Sequence, residues 1–117
     1  MSALKDREDW LERLAEVLEQ ARRRERTLTY LEVADALAMP GPQRIHKTTR
    51  LLETLLKRDA EAGHALRSAL AVSRGRNGRP APGFFDRAER LGLFDGRDPE
   101  AFHDRLLAEL FKSEIDA

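Results

Sequence analysis

Thr29-Tyr30-Leu31-Glu32-Val33-Ala34, followed by Met39-Pro40-Gly41-Pro42, is the stretch on which the fold of this chain turns. A Thr with a Glu three residues on has the form of a capping box, in which hydroxyl and carboxylate each satisfy a backbone N–H at a helix start. The short helix opened there buries Tyr30 or Leu31, with Val33, Ala34 and Leu37, and the Pro-Gly-Pro run stops it. The next helix is predicted from about Gln43 to Ala62. It buries Ile45, Leu52, Leu55 and Leu56, sets Lys47, Arg50, Thr54, Lys57 and Arg58 on another side, and has Gly63 as its C-cap. Two helices joined by a tight turn, the second of them basic, make a helix-turn-helix.

Working outward, residues 4–25 read as an amphipathic helix with Trp10, Leu11, Leu14, Val17, Leu18 and Ala21 on one face. Its basic end, Arg22, Arg23, Arg24 and Arg26, complements the negative pole of the helix dipole. Downstream the period changes. Residues 66–73 alternate, with Leu66, Leu70 and Val72 on one side and Ser68 as the polar exception, which predicts a half-buried strand. Arg74-Gly75-Arg76-Asn77-Gly78-Arg79 then contains Asn-Gly, the pair that tolerates positive φ at both central positions of a type I′ hairpin turn. Pro80 and Pro82 restrict the return to a short edge strand. A helix is predicted over residues 84–91, ending at Gly92. A last one starts at Asp98-Pro99-Glu100, with Phe102, Leu106, Leu107, Leu110 and Phe111 on its apolar side.

Helix, helix, turn, basic helix, strand and basic hairpin is the element order of a winged helix. The predicted class is therefore mainly α: a winged-helix-like domain with a small β-hairpin. A length of 117 residues suits one domain, with a core over about 27–83 and helical extensions over 1–26 and 84–117. Winged helices place the helix after the turn in a groove of duplex DNA and the hairpin on the backbone or minor groove. They also serve as protein-interaction modules, and element order does not separate the two uses.

Charge patterning bears on that choice. The formal net charge is zero. Residues 41–80, however, hold nine basic against three acidic groups, a net of +6, while residues 1–40 carry −2 and 81–117 carry −4. A basic stripe on an acidic body still attracts a polyanion, because opposite charge more than about 8–10 Å away is largely screened in physiological salt. The competing reading is that the arginines solvate helix faces and pair with the acidic flanks.

The helix-turn-helix residues also resemble a known family. Thr29-Tyr30-Leu31-Glu32-Val33-Ala34, Met39-Pro40 and Arg44 are similar to the DNA-binding half of the O6-alkylguanine-DNA alkyltransferases and their noncatalytic alkyltransferase-like relatives, over about residues 27–83. The resemblance implies that Tyr30 presses on a nucleotide backbone and that Arg44 is a finger entering the base stack where a nucleotide is extruded. The active-site strand of the family, Pro-Cys-His-Arg-Val, falls on Ser68-Ala69-Leu70-Ala71-Val72, where only the valine is kept. Ala69 stands in place of the alkyl-accepting cysteine, which excludes suicide alkyl transfer at that position.

Other chemistry finds little support. There is no cysteine, hence no disulfide or thiolate site. His46, His64 and His103 lie on three elements without ligand spacing, and Gly75-Arg76-Asn77-Gly78 lacks the Gly-Lys-Ser/Thr of a phosphate loop. His64 and Ser68 have no orienting acid or oxyanion loop beside them. The N-terminal ten residues are polar, unlike a signal peptide, and no apolar run is long enough to span a membrane, so a cytoplasmic protein is expected. The expected function is noncatalytic binding of double-stranded DNA without a cofactor or metal. Arg44, Lys47 and Arg50 would lie at the groove, Arg74, Arg76 and Arg79 on phosphates, and Tyr30 on the backbone. The alternative is an interaction module in which the apolar terminal helices form a homodimer or hold a partner.

Overall fold

The structure is a computed structural model and describes residues 3–112, with side chains from Arg7 onward. Its elements run α1 (Ala3–Arg23), β1 (Leu28–Thr29), α2 (Tyr30–Ala36), α3 (Arg44–Ala62), a 3-10 turn (Arg67–Leu70), β2 (Ala71–Val72), α4 (Pro82–Arg90) and α5 (Pro99–Lys112). The described chain is mainly helical with a small hairpin, in the order read from the sequence.

Local chemistry explains most boundaries. The capping box is present: Thr29 Oγ1 accepts from Glu32 N at 3.1 Å, and Glu32 Oε1 accepts from Thr29 N at 2.8 Å. Those bonds, the Thr29 backbone N–H first, hold the Glu32 carboxyl below its ordinary pKa. Gly63 ends α3 in the left-handed region at φ 69°, where a Cβ would be strained. At the start of α5, Asp98 Oδ1 accepts from Ala101 N at 3.1 Å.

One core joins all the helices. Leu11, Leu14 and Leu18 of α1, Val33, Ala34 and Leu37 of α2, and Leu52, Leu55 and Leu56 of α3 close around Leu66, Ala69 and Leu70, together with Phe102, Leu106 and Leu110 of α5. The 3-10 turn packs against α1, α3 and α5, so the terminal helices share the core of the helix-turn-helix rather than extend from it. Phe94 stacks on Phe102 with centroids 4.5 Å apart, pinning the α4–α5 loop.

Residues 66–73 depart from the expected half-buried strand. Residues 68–72 are all buried, and Arg67–Leu70 coil into the 3-10 turn before the two-residue β2. Ser68 supplies the reason: its Oγ donates to Leu52 O at 2.7 Å, which draws this polar residue inward with its apolar neighbours. β2 then pairs with β1 in parallel, Leu28 opposite Ala71 and Thr29 opposite Val72. The hairpin contributes one antiparallel bridge, Ser73 with Arg79, after which the prolines prevent further pairing. Ile45 also departs from expectation. It belongs to the apolar stripe predicted for α3 but is 40 % exposed, since the buried face is carried by Thr48, Leu52, Leu55, Leu56 and Asp59, deeper in the helix. In α2 the choice between Tyr30 and Leu31 falls to Tyr30, with Leu31 half exposed.

Candidate functional site

The turn between α2 and α3 is braced by the basic side chains expected to leave it. Arg44 folds back, its Nε donating to Met39 O at 2.8 Å and its Nη2 to Asp35 Oδ1 at 2.6 Å. Lys47 Nζ donates to Pro40 O at 3.3 Å. Both fix the angle at which α3 leaves the turn, and neither reaches outward as a finger or groove contact. Gln43, the residue before α3, is held in the left-handed region at φ 61°, and its side chain makes no capping bond.

Tyr30 is likewise engaged internally. Its hydroxyl accepts a hydrogen bond from Ala81 N at 2.8 Å, tying the start of α2 to the chain that returns from the hairpin. Burial raises the phenol pKa above its ordinary value. Tyr30, Thr49, Glu53, Ser68, Ala81 and Phe84 are among the residues lining a cavity of about 40 Å³, room for a water rather than an extruded base. Ala69, at the position of the family's cysteine, is wholly buried.

In the hairpin, Asn77 and Gly78 both take positive φ, 54° and 74°, and Arg79 N donates to Arg76 O at 3.0 Å, as a type I′ turn requires. Arg79 does not point to solvent with the other two arginines. Its Nη1 lies 2.6 Å from Asp104 Oδ1, 3.2 Å from Glu100 O and 3.1 Å from His103 Nδ1, docking the hairpin on α5. His103 is 1 % exposed, and its Nε2 is 2.8 Å from Ala69 O. A carbonyl only accepts, so Nε2 carries the proton and Nδ1 accepts from Arg79: a neutral imidazole with both nitrogens satisfied. Burial, aided by the Arg79 charge, lowers its pKa.

The +6 segment is thereby divided. Arg44, Arg58, Arg67 and Arg79 pair with Asp35, Glu8, Asp59 and Asp104, three of these acids belonging to the flanks. Among the described residues Arg50, Lys57, Arg74 and Arg76 have no ion-pair partner and are exposed, Arg50 and Lys57 on α3, Arg74 and Arg76 on the hairpin. Of the seven expected site residues the structure thus leaves Arg50, Arg74 and Arg76 free to meet a ligand, and uses Tyr30, Arg44, Lys47 and Arg79 to hold the surface that carries them. This division could not be read from the sequence, because each partner lies on another element or across a turn.

The exposed large hydrophobic residues among those described are Leu31 and Ile45, at the starts of α2 and α3. Ile45 borders an open concavity of about 600 Å³ with Gly41, Pro42, Gln43, Arg44 and His46. The apolar faces of the terminal helices are turned into the core. Among the described residues no group of three or more His, Asp or Glu is placed to hold a metal ion, and no helix is long and apolar enough to cross a membrane. In comparisons with known proteins, the chain matches no family model, no curated protein and no solved structure.

Proposed function

We propose that the protein is a noncatalytic binder of double-stranded DNA, of alkyltransferase-like winged-helix type, acting in the cytoplasm. The observation that carries this reading is the sorting of its cations. Within the basic segment 41–80, the exposed cations without an acidic partner stand on α3 and on the hairpin, the two elements a winged helix presents to a duplex. The braces through Arg44, Lys47, Tyr30 and Arg79 hold these two elements fixed relative to the core, so little ordering free energy is lost on docking.

Binding measured by fluorescence anisotropy on a labelled duplex tests the reading. With about three to four phosphates engaged, the logarithm of affinity falls with the logarithm of salt at a slope of roughly −3. Arg76→Ala reduces that slope by about one unit and weakens binding to all duplexes alike. Absence of binding to any duplex at low salt refutes the reading.

A further inference from the structure

Asn77 is the one asparagine in the chain, and Gly78 follows it. Both are exposed at the tip of the hairpin, with positive φ of 54° and 74°. Among the described residues no hydrogen bond engages the Asn77 side chain or the Gly78 backbone N–H. A Cβ placed on Gly78 would meet nothing within 4 Å, so the approach to its nitrogen is open. The tip is held by Arg79 N donating to Arg76 O at 3.0 Å and Arg76 N donating to Ser73 O at 3.3 Å, with the bridge of Ser73 to Arg79 below it. An exposed turn with so few bonds opens locally at small cost. Arg74 and Arg76 are exposed without acidic partners among the described residues, and the hairpin from Arg74 to Arg79 contains no acid.

We propose that Asn77 is a site of spontaneous modification, where the Gly78 backbone nitrogen displaces the side-chain amide and water then leaves a carboxylate at the tip of the hairpin. The deprotonated Gly78 nitrogen attacks Asn77 Cγ. A bond forms between them, the Cγ–Nδ2 bond breaks, and the amide leaves as ammonia, taking up the proton that Gly78 gave up. Water opens the resulting succinimide ring at either carbonyl. Attack at Cγ gives aspartate, and attack at the backbone carbonyl gives isoaspartate. No electrons are transferred, and water is the one co-reactant. Glycine puts no side chain beside the nucleophile, and the neighbouring guanidinium charges favour its deprotonated form. Closure requires Asn77 to turn about its backbone, which the open tip permits. Asp95-Gly96 is the contrast within the chain. There Asp95 Oδ1 accepts from Arg97 N at 2.9 Å, and the Glu89 carboxylate lies 3.3 Å from where a Gly96 Cβ would stand, a negative charge that disfavours the amide anion. The product at Asn77 places a carboxylate between Arg76 and Arg79, and isoaspartate adds a methylene to the backbone that a type I′ turn does not accommodate. Its effect on binding rests on the DNA-binding reading above, since a carboxylate pairing with Arg76 withdraws one cation from the phosphates.

The test incubates the full chain at neutral pH in ordinary and in heavy-oxygen water and follows its mass. The wild type gains the mass difference between an amide and a carboxylic acid, and takes up one labelled oxygen from heavy-oxygen water. Trypsin, stopped at Arg79 by Pro80, releases residues 77–87, which carry the label as separate aspartyl and isoaspartyl forms. Conversion quickens as pH rises, because the nucleophile is the deprotonated amide, and is faster still in the urea-unfolded chain. Asn77→Gln, whose ring would be larger, removes the mass change over the same incubation. A folded wild type that keeps its mass overturns the proposal, as does a label found outside residues 77–87 or a mass change that persists in Asn77→Gln. On a labelled duplex, Asn77→Asp installs the charge at once and reduces the salt slope by about one unit. An unchanged slope leaves the modification standing and overturns its effect on binding. Failure of every form to bind a duplex removes the DNA-binding reading and leaves the mass result as it is.

Discussion

Asp59→Asn should lower stability by about 3 kcal/mol, because it breaks an ion pair on the inner side of the molecule rather than a surface bridge. The Asp59 side chain is 2 % exposed and accepts three bonds from Arg67: from the backbone N at 3.1 Å, Nε at 3.2 Å and Nη2 at 2.7 Å. Asparagine keeps the volume but removes the charge, and leaves a guanidinium facing a neutral amide. Removing one partner of a buried pair costs about 3–5 kcal/mol. Arg67 remains 22 % exposed, so its orphaned charge is partly hydrated and the lower end of that range applies. At about 4 °C per kcal/mol for a domain of this size, the melting temperature falls by roughly 12 °C. Urea denaturation followed by circular dichroism measures the loss, and Arg67→Met with the double variant closes a cycle. The two changes should be non-additive by about 2 kcal/mol, and the coupling should hold as salt is raised, since screening acts weakly on a buried pair. A loss under about 1 kcal/mol, or a coupling under about 0.5 kcal/mol, is what an exposed bridge gives and refutes the reasoning.

Three further outcomes are expected. Thr48 is fully buried with its hydroxyl unpartnered, so Thr48→Val should stabilise the protein by about 1–2 kcal/mol in the same urea assay; destabilisation would show that the hydroxyl has a partner. His103 has a lowered pKa when folded, so below its ordinary value of about 6.5 the unfolded chain binds a proton that the native state refuses. Stability should therefore be full above that value and decline as pH falls from about 6.5 toward the folded pKa, and His103→Gln should flatten this part of a melting-temperature profile against pH; an unchanged profile would contradict the assignment. Because Arg44 braces the turn, Arg44→Ala should weaken binding to perfectly paired and mismatched duplexes equally, whereas a selective loss on mismatched DNA would restore the role of a finger.

The helix-turn-helix was legible in the sequence because its signals are local. A capping box, a proline stop, a glycine in the left-handed region and an Asn-Gly turn each act within about four residues, and the structure has all of them where the sequence puts them. Helical periodicity likewise assigned Leu11, Leu14 and Leu18, and Phe102, Leu106 and Leu110, to buried faces. What only the tertiary structure decided depends on groups far apart in the chain. Alternation in residues 66–73 suggested a strand, but a carbonyl of α3 sixteen residues away captured Ser68 and coiled the segment inward. Ile45 fits the apolar stripe of its helix, yet packing begins at Thr48 and leaves it outside. The basic stripe was visible as a sum of charges. Which arginines remained available was settled by where Glu8, Asp35, Asp59 and Asp104 came to rest, since an ion pair forms between neighbours in space and periodicity carries no record of them.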